Sequence, residues 1–161
     1  MTEDLQQPRK SHRKLWLVVG IVIGVIVICG GIFALMAGKV AVEKAPIESV
    51  LDSFMKCMVA KDVESAYALF SRSAQRQFPI SDLQKLIEGN NYALFEGYQS
   101  LSVQGIEVTV STNSGTVATV SGTTRYDDGF QGTFNGDLEK VNGKWRLVGI
   151  HITVPPDKFQ P

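Results

Sequence analysis

Cysteine and histidine are scarce in this chain of 161 residues, with two of each, and the shortage removes whole classes of chemistry. Cys29 lies inside a long apolar run and Cys57 stands alone beyond it. No internal disulfide can therefore staple the region after the run, which must be held together by its core. His12 and His151 fall on opposite sides of the same run. With Cys29 inside the run and Cys57 beyond it, metal ligation has no support in the sequence, and no metal or other cofactor is expected. There is also no phosphate-binding loop, no dinucleotide fingerprint and no G-x-S-x-G. An excess of one charge is missing too, since 16 Lys and Arg balance 16 Asp and Glu. Beyond the apolar run the count is 12 basic against 14 acidic, so no basic surface of the kind nucleic acid requires is expected. N-x-S/T acceptors are absent, which fits a bacterial source better than a glycosylated ectodomain.

What the chain does have is concentrated hydrophobicity. Leu15 to Ala37 contains no charged residue and no proline. At about 1.5 Å of rise per residue, a helix of that length crosses the roughly 30 Å hydrocarbon core. A secretory signal is the rival reading, but the run exceeds the about 7 to 15 residues of a signal core and no A-x-A-like site follows it. Ile28 precedes Cys29 where a lipoprotein cysteine would have a small residue. The expectation is an uncleaved single-pass anchor. Arg9, Lys10, Arg13 and Lys14 crowd its amino-terminal flank, which predicts a cytoplasmic N-terminus and an extracytoplasmic C-terminal domain, in a bacterial plasma membrane. Gly20 and Gly24 are spaced for close helix pairing, the basis for expecting a homodimer or assembly into a larger complex. The divisions follow: cytoplasmic tail 1–14, membrane helix 15–37, linker 38–46, domain 47–156, tail 157–161.

Within the domain the first half has helical periodicity. Ile47, Val50, Leu51, Phe54, Cys57 and Met58 recur at three- and four-residue steps after Pro46, which suits a first-turn position. Cys57 then lies on the packed face. A second helix is expected after Asp62 as N-cap, with Val63, Ala66, Leu69 and Phe70 on one face. A third is expected in "FPISDLQKLIEGNN", with Ser81 and Gln84 as a capping box and Gly89-Asn90 ending it.

After Tyr98 the period changes to two. Gly105 interrupts the alternation of Leu101 and Val103 with Ile106, Val108 and Val110, a bulge signal. A Thr- and Val-rich strand follows, then a turn at Asp127-Asp128-Gly129, where paired aspartates serve local turn chemistry rather than catalysis. Phe130, Gly132, Phe134, Gly136 and Leu138 share one face of the next strand. Asn142-Gly143 is a two-residue hairpin signal, because both positions of a type I′ turn need positive φ. Pro155-Pro156 stops the last strand. Strict alternation along that strand places Trp145 and His151 on the same face. Helices followed by four antiparallel strands make an α+β domain.

The order of elements, together with Asp62, Ala66, Tyr67, Phe70, Ser71, Gln75 and Phe78 in "FMKCMVAKDVESAYALFSRSAQRQFPISDLQKLI" and the closing "NGKWRLVG", resembles the cystatin-like domains of the nuclear-transport-factor-two-like superfamily. More narrowly, the first of these stretches looks like the opening of small bacterial domains of unknown function in that superfamily. The resemblance covers residues 47 to about 154. It implies three helices packed on a curved antiparallel sheet of about four strands, enclosing a conical pocket. Relatives use that pocket for ligand binding, dimerisation or, in some cases, catalysis.

Tyr67, Tyr98, Phe130, Phe134 and Trp145 are the ligand-pocket candidates, with self-filling of the core as the plainer use of these rings. His151 is a weak catalytic candidate, dependent on its face being the inside of the cone. The reading is a membrane-anchored, non-enzymatic module that binds a protein partner or a small apolar ligand. A tethered enzyme with a small site in the cone, and an accessory subunit of an envelope complex, stand beside it.

Overall fold

A computed structural model describes residues 43–111 and 115–159. The apolar run 15–37 with Gly20 and Gly24, the tail 1–14 and the linker as far as residue 42 lie outside the described residues. Among the described residues no helix is long and apolar enough to cross a membrane.

The first helix, α1, is described from residue 43 to residue 59, so the last four residues of the expected linker are already helical. Ile47, Leu51, Phe54, Met55 and Met58 are each 1% exposed or less. Their steps of four, three, one and three trace one stripe. Met55 belongs to that stripe, whereas Cys57 is only half-buried at its margin. The helix ends in a Schellman motif: the Asp62 N–H donates to Cys57 O at 2.9 Å and the Lys61 N–H to Met58 O at 3.1 Å. Lys61 takes the left-handed position at φ 58, where glycine would ordinarily stand. Its ammonium group lies 4.5 Å from the centroid of the Tyr92 ring, a partial offset. Left-handed backbone costs an L-residue about 1–2 kcal/mol and is worst for β-branched side chains. Lys61→Gly should therefore raise the urea midpoint slightly and Lys61→Val should lower it. The reverse order would show that this position is not under backbone strain.

Asp62 caps the second helix as well, α2 at Val63–Ala68, by accepting from the Ser65 N–H at 3.1 Å. A single turn, α3 at Arg72–Gln75, follows, capped by Ser71. The fourth helix, α4, spans Ile80–Glu88. Its N-cap is Pro79, with no side-chain cap bond, so the expected Ser81–Gln84 capping box does not form. Pro79 is extended at ψ 157 and the helix starts directly after it, which puts Ser81 inside the first turn rather than before it. A 3-10 turn at Asn90–Leu94 leads into the sheet. Among the described residues four α-helices thus stand where three were expected, because α3 is too short to show a period.

The strands are β1 (Tyr98–Ser111), β2 (Gly115–Tyr126), β3 (Gln131–Val141) and β4 (Lys144–Thr153), in a simple antiparallel meander. In β3, Gly132, Phe134, Gly136 and Leu138 are buried and their neighbours exposed, as alternation requires. Asn142 at φ 51 and Gly143 at φ 76 make the expected hairpin turn. The register slips at Val103/Gly105, the expected bulge, and also at Tyr98/Ser100 and opposite Asp137/Leu138.

That last slip reverses the faces of β4. Leu138 pairs with Leu147, but Asp137 pairs with Gly149, leaving Val148 as an extra residue. Trp145 and Leu147 face the core at 4% and 0% exposure. Past the bulge the inward positions are Ile150 and Ile152, opposite Gly136 and Phe134, while His151 pairs with Asn135 on the exposed row. Trp145 and His151 therefore do not share a face. The cause is long-range: Leu147 donates its N–H to Leu69 O at 3.0 Å and accepts from the Ser71 N–H at 2.7 Å. The connection between α2 and α3 closes the edge of β4 at that point.

The expected tail also folds back. Pro156–Phe159 forms a 3-10 turn, and the Lys158 side chain, 4% exposed, reaches Asp128 Oδ2 at 2.6 Å across the Tyr126 ring.

Candidate functional site

Phe54 of α1 stacks edge-to-face on Phe70 at 5.5 Å and on Phe95 at 6.2 Å between ring centroids. Phe70 in turn meets Phe78 at 4.8 Å. Such T-shaped contacts hold rings in fixed orientations and leave their outer faces as a smooth apolar wall. Here that wall, Leu83 and Leu86 of α4, Leu94 of the 3-10 turn and the Val148–Ile152 stretch of β4 enclose a cavity of about 510 Å³. Asp82 and Asn91 are the polar side chains contributed by the helical side. Asp82 is held by Lys85 at 2.9 Å.

None of the five aromatic candidates read from the sequence lines this cavity. Tyr67 sits behind it, its hydroxyl 3.0 and 3.2 Å from the carbonyl oxygens of Gln75 and Phe78, so it positions the Phe78–Pro79 turn. Tyr98 donates to Asp52 Oδ1 at 2.8 Å. Burial and that carboxylate push its phenol far above the ordinary value. Phe130 lies beside Lys158, with the ammonium 5.7 Å from its ring centroid. Phe134, 2% exposed, fills the space above Gly122. Trp145 donates from Nε1 to Glu43 Oε2 at 2.6 Å and borders a separate groove of about 480 Å³.

Electrostatics also separates these groups. Lys140 donates to Glu43 Oε1 at 2.5 Å, and this bond together with that from Trp145 holds the Glu43 carboxyl below its usual range. Burial pushes the Cys57 thiol up, so it stays protonated and acts as a packing group. Asp128 is lowered by its bond from Lys158 and also accepts from the Phe130 N–H, the local turn role expected of it. His151 is exposed, and among the described residues no hydrogen bond or ion pair joins it to a carboxylate. No group of three or more His, Cys, Asp or Glu able to hold a metal occurs among the described residues.

Among the described residues that line the cavity, His151 alone is a candidate read from the sequence, and it borders the space from the exposed row of β4. Leu83 and Leu86 carry a usable signal, a three-residue step on an amphipathic helix. Leu94 ends a 3-10 turn and Phe95 follows it as the C-cap, with no period to read.

No protein-family model matches this sequence, and no curated protein is significantly similar to it. Among solved structures, the chain is similar to a protein of unknown function with a cystatin-like fold from Nostoc punctiforme. The two are 15% identical over 72% of this chain and 93% of that one, with a TM-score of 0.48. It is also similar to a protein of unknown function from Mycobacterium tuberculosis, 14% identical over 74% of this chain and 75% of that one, with a TM-score of 0.45. These are likenesses of chain path and assign no activity.

Proposed function

We propose that this is a single-pass membrane protein with a cytoplasmic N-terminus, whose extracytoplasmic domain, of the cystatin-like cone type, binds a small apolar ligand without turning it over. The observation that carries the reading is the cavity between α4 and β4. Its volume of about 510 Å³ lies within the range of small-molecule sites, and its walls are rings and leucines with few polar groups. Asp82 and Asn91 suit the polar end of an amphiphile. The long apolar run without a cleavage site supports the anchor. His151 and Asp82 both border the cavity, but His151 is exposed and Asp82 is held by Lys85. No hydrogen bond or ion pair joins His151 to an acid among the described residues, so the enzymatic alternative has a lining position without an acid–base pair.

Native mass spectrometry of the full-length chain released from membranes should show a bound small molecule. Leu86→Trp, which inserts an indole into the cavity from a half-buried position, should reduce the bound fraction about tenfold or more while leaving the unfolding temperature near that of the parent. An adduct of equal occupancy in both chains, or none in the parent, would sink the ligand reading.

A further inference from the structure

In a four-stranded meander the β1–β2 and β3–β4 connections emerge at the same end of the sheet. Both connections here present an exposed valine, Val110 at 76% and Val141 at 43% exposure. Beside Val141 opens a groove of about 780 Å³, separate from the apolar cavity, whose charged residues are Arg72, Arg76, Lys144, Arg146 and a single carboxylate, Glu139. Glu139 accepts from Ser73 Oγ at 2.6 Å, and Arg146 donates to Ala68 O at 2.8 Å. Arg72, Arg76 and Lys144 have no ion-pair partner among the described residues. Four cations against one carboxylate make the groove locally basic in a domain that carries no excess of positive charge.

We propose that this end of the sheet docks on an anionic phospholipid surface, with Val110 and Val141 entering the interface and the four cations meeting headgroup phosphates. Apolar tips flanked by Lys and Arg are the composition that holds a segment at a bilayer interface, and neither part alone would bind as well. The tether decides the occupant. Glu43 is fastened to Lys140 and Trp145 at the base of the β3–β4 hairpin, and six residue steps separate it from Ala37, the end of the apolar run. Those steps span at most about 20 Å even when fully extended. The inference rests on the anchor reading above, because the tether brings the cations near lipid only if residues 15–37 cross a membrane.

The test is amide hydrogen exchange on the full chain in lipid nanodiscs, comparing phosphatidylcholine alone with discs that also contain phosphatidylglycerol. Exchange at residues 72–76 and 139–146 should be about tenfold slower on the anionic discs, and the difference should vanish in high salt. Combined Arg72→Glu, Arg76→Glu and Lys144→Glu should abolish it, and Val141→Asp alone should weaken it. Protein retained in both discs with equal exchange overturns the docking but leaves the anchor standing. Loss of the protein from both discs overturns the anchor and the docking with it. Protection produced on neutral discs by added inorganic phosphate would assign the groove to a soluble anion and overturn the lipid assignment.

Discussion

Gly122→Ala is expected to destabilise the domain by about 3 kcal/mol or more, at the upper end of what overpacking does. A Cβ at this position would lie 2.2 Å from the Ser102 carbonyl oxygen and 2.7 Å from two atoms of the Phe134 ring. The ring could rotate aside, but the carbonyl belongs to the adjacent strand and moves only if β1 and β2 separate. Phe134→Leu in the Gly122→Ala background should therefore recover only part of the loss. Guanidinium unfolding of the single and double variants measures both. A Gly122→Ala domain as stable as the parent would mean that the strands do not approach this closely.

Glu43→Ala should cost about 2 kcal/mol, the scale of a charge-assisted hydrogen bond whose partners are left behind. Trp145 is 4% exposed and would lose the acceptor for its indole N–H, while Lys140 would lose its counter-charge. Because the folded carboxyl titrates below its ordinary value near 4.5, its contribution is complete above that value and disappears as the pH falls through the depressed one. Asp62 and Asp128 are lowered in the same sense, by Ser65 and Lys158. The parent should hold this contribution from neutral pH down to about 5 and lose it progressively below. Glu43→Ala should show a shallower acid limb, and Glu43→Gln, which keeps an acceptor for Trp145, should fall between the two at neutral pH. Parallel pH curves for parent and Glu43→Ala would remove the ion pair from the account.

Locally encoded features are legible in the amino-acid sequence. Asp62 caps α2 because a short acidic side chain reaches a free N–H three residues on. Asn142-Gly143 turns because both tolerate positive φ. Gly105 marks a bulge, and Gly132 to Leu138 alternate because one face of β3 meets the core. At Pro79 a local rule misleads: the Ser81–Gln84 spacing matches a capping box, but the extended proline starts the helix two residues early.

The candidate site is far less legible, and β4 shows why. Gly149, next to Val148, is the same kind of local hint as Gly105, but it does not by itself say that the strand slips there. The bulge lies beside the place where a distant segment, Leu69 to Ser71, bonds to the strand edge. That one extra residue puts His151 on the exposed row and Trp145 in the core. The cavity joins Phe54, Phe70, Phe95, α4 and β4, and the basic groove joins α3 to the β3–β4 hairpin, so neither exists as a pattern along the chain. The sequence alone determined the α+β order, the turns, the alternating faces and the expectation of a membrane anchor, since each depends on neighbours within a few residues or on the composition of one run. Only the tertiary structure decided which rings line a cavity and which cations gather at one end. Those outcomes depend on register and on contacts between residues far apart, such as Glu43 with Trp145, for which a linear pattern holds no information.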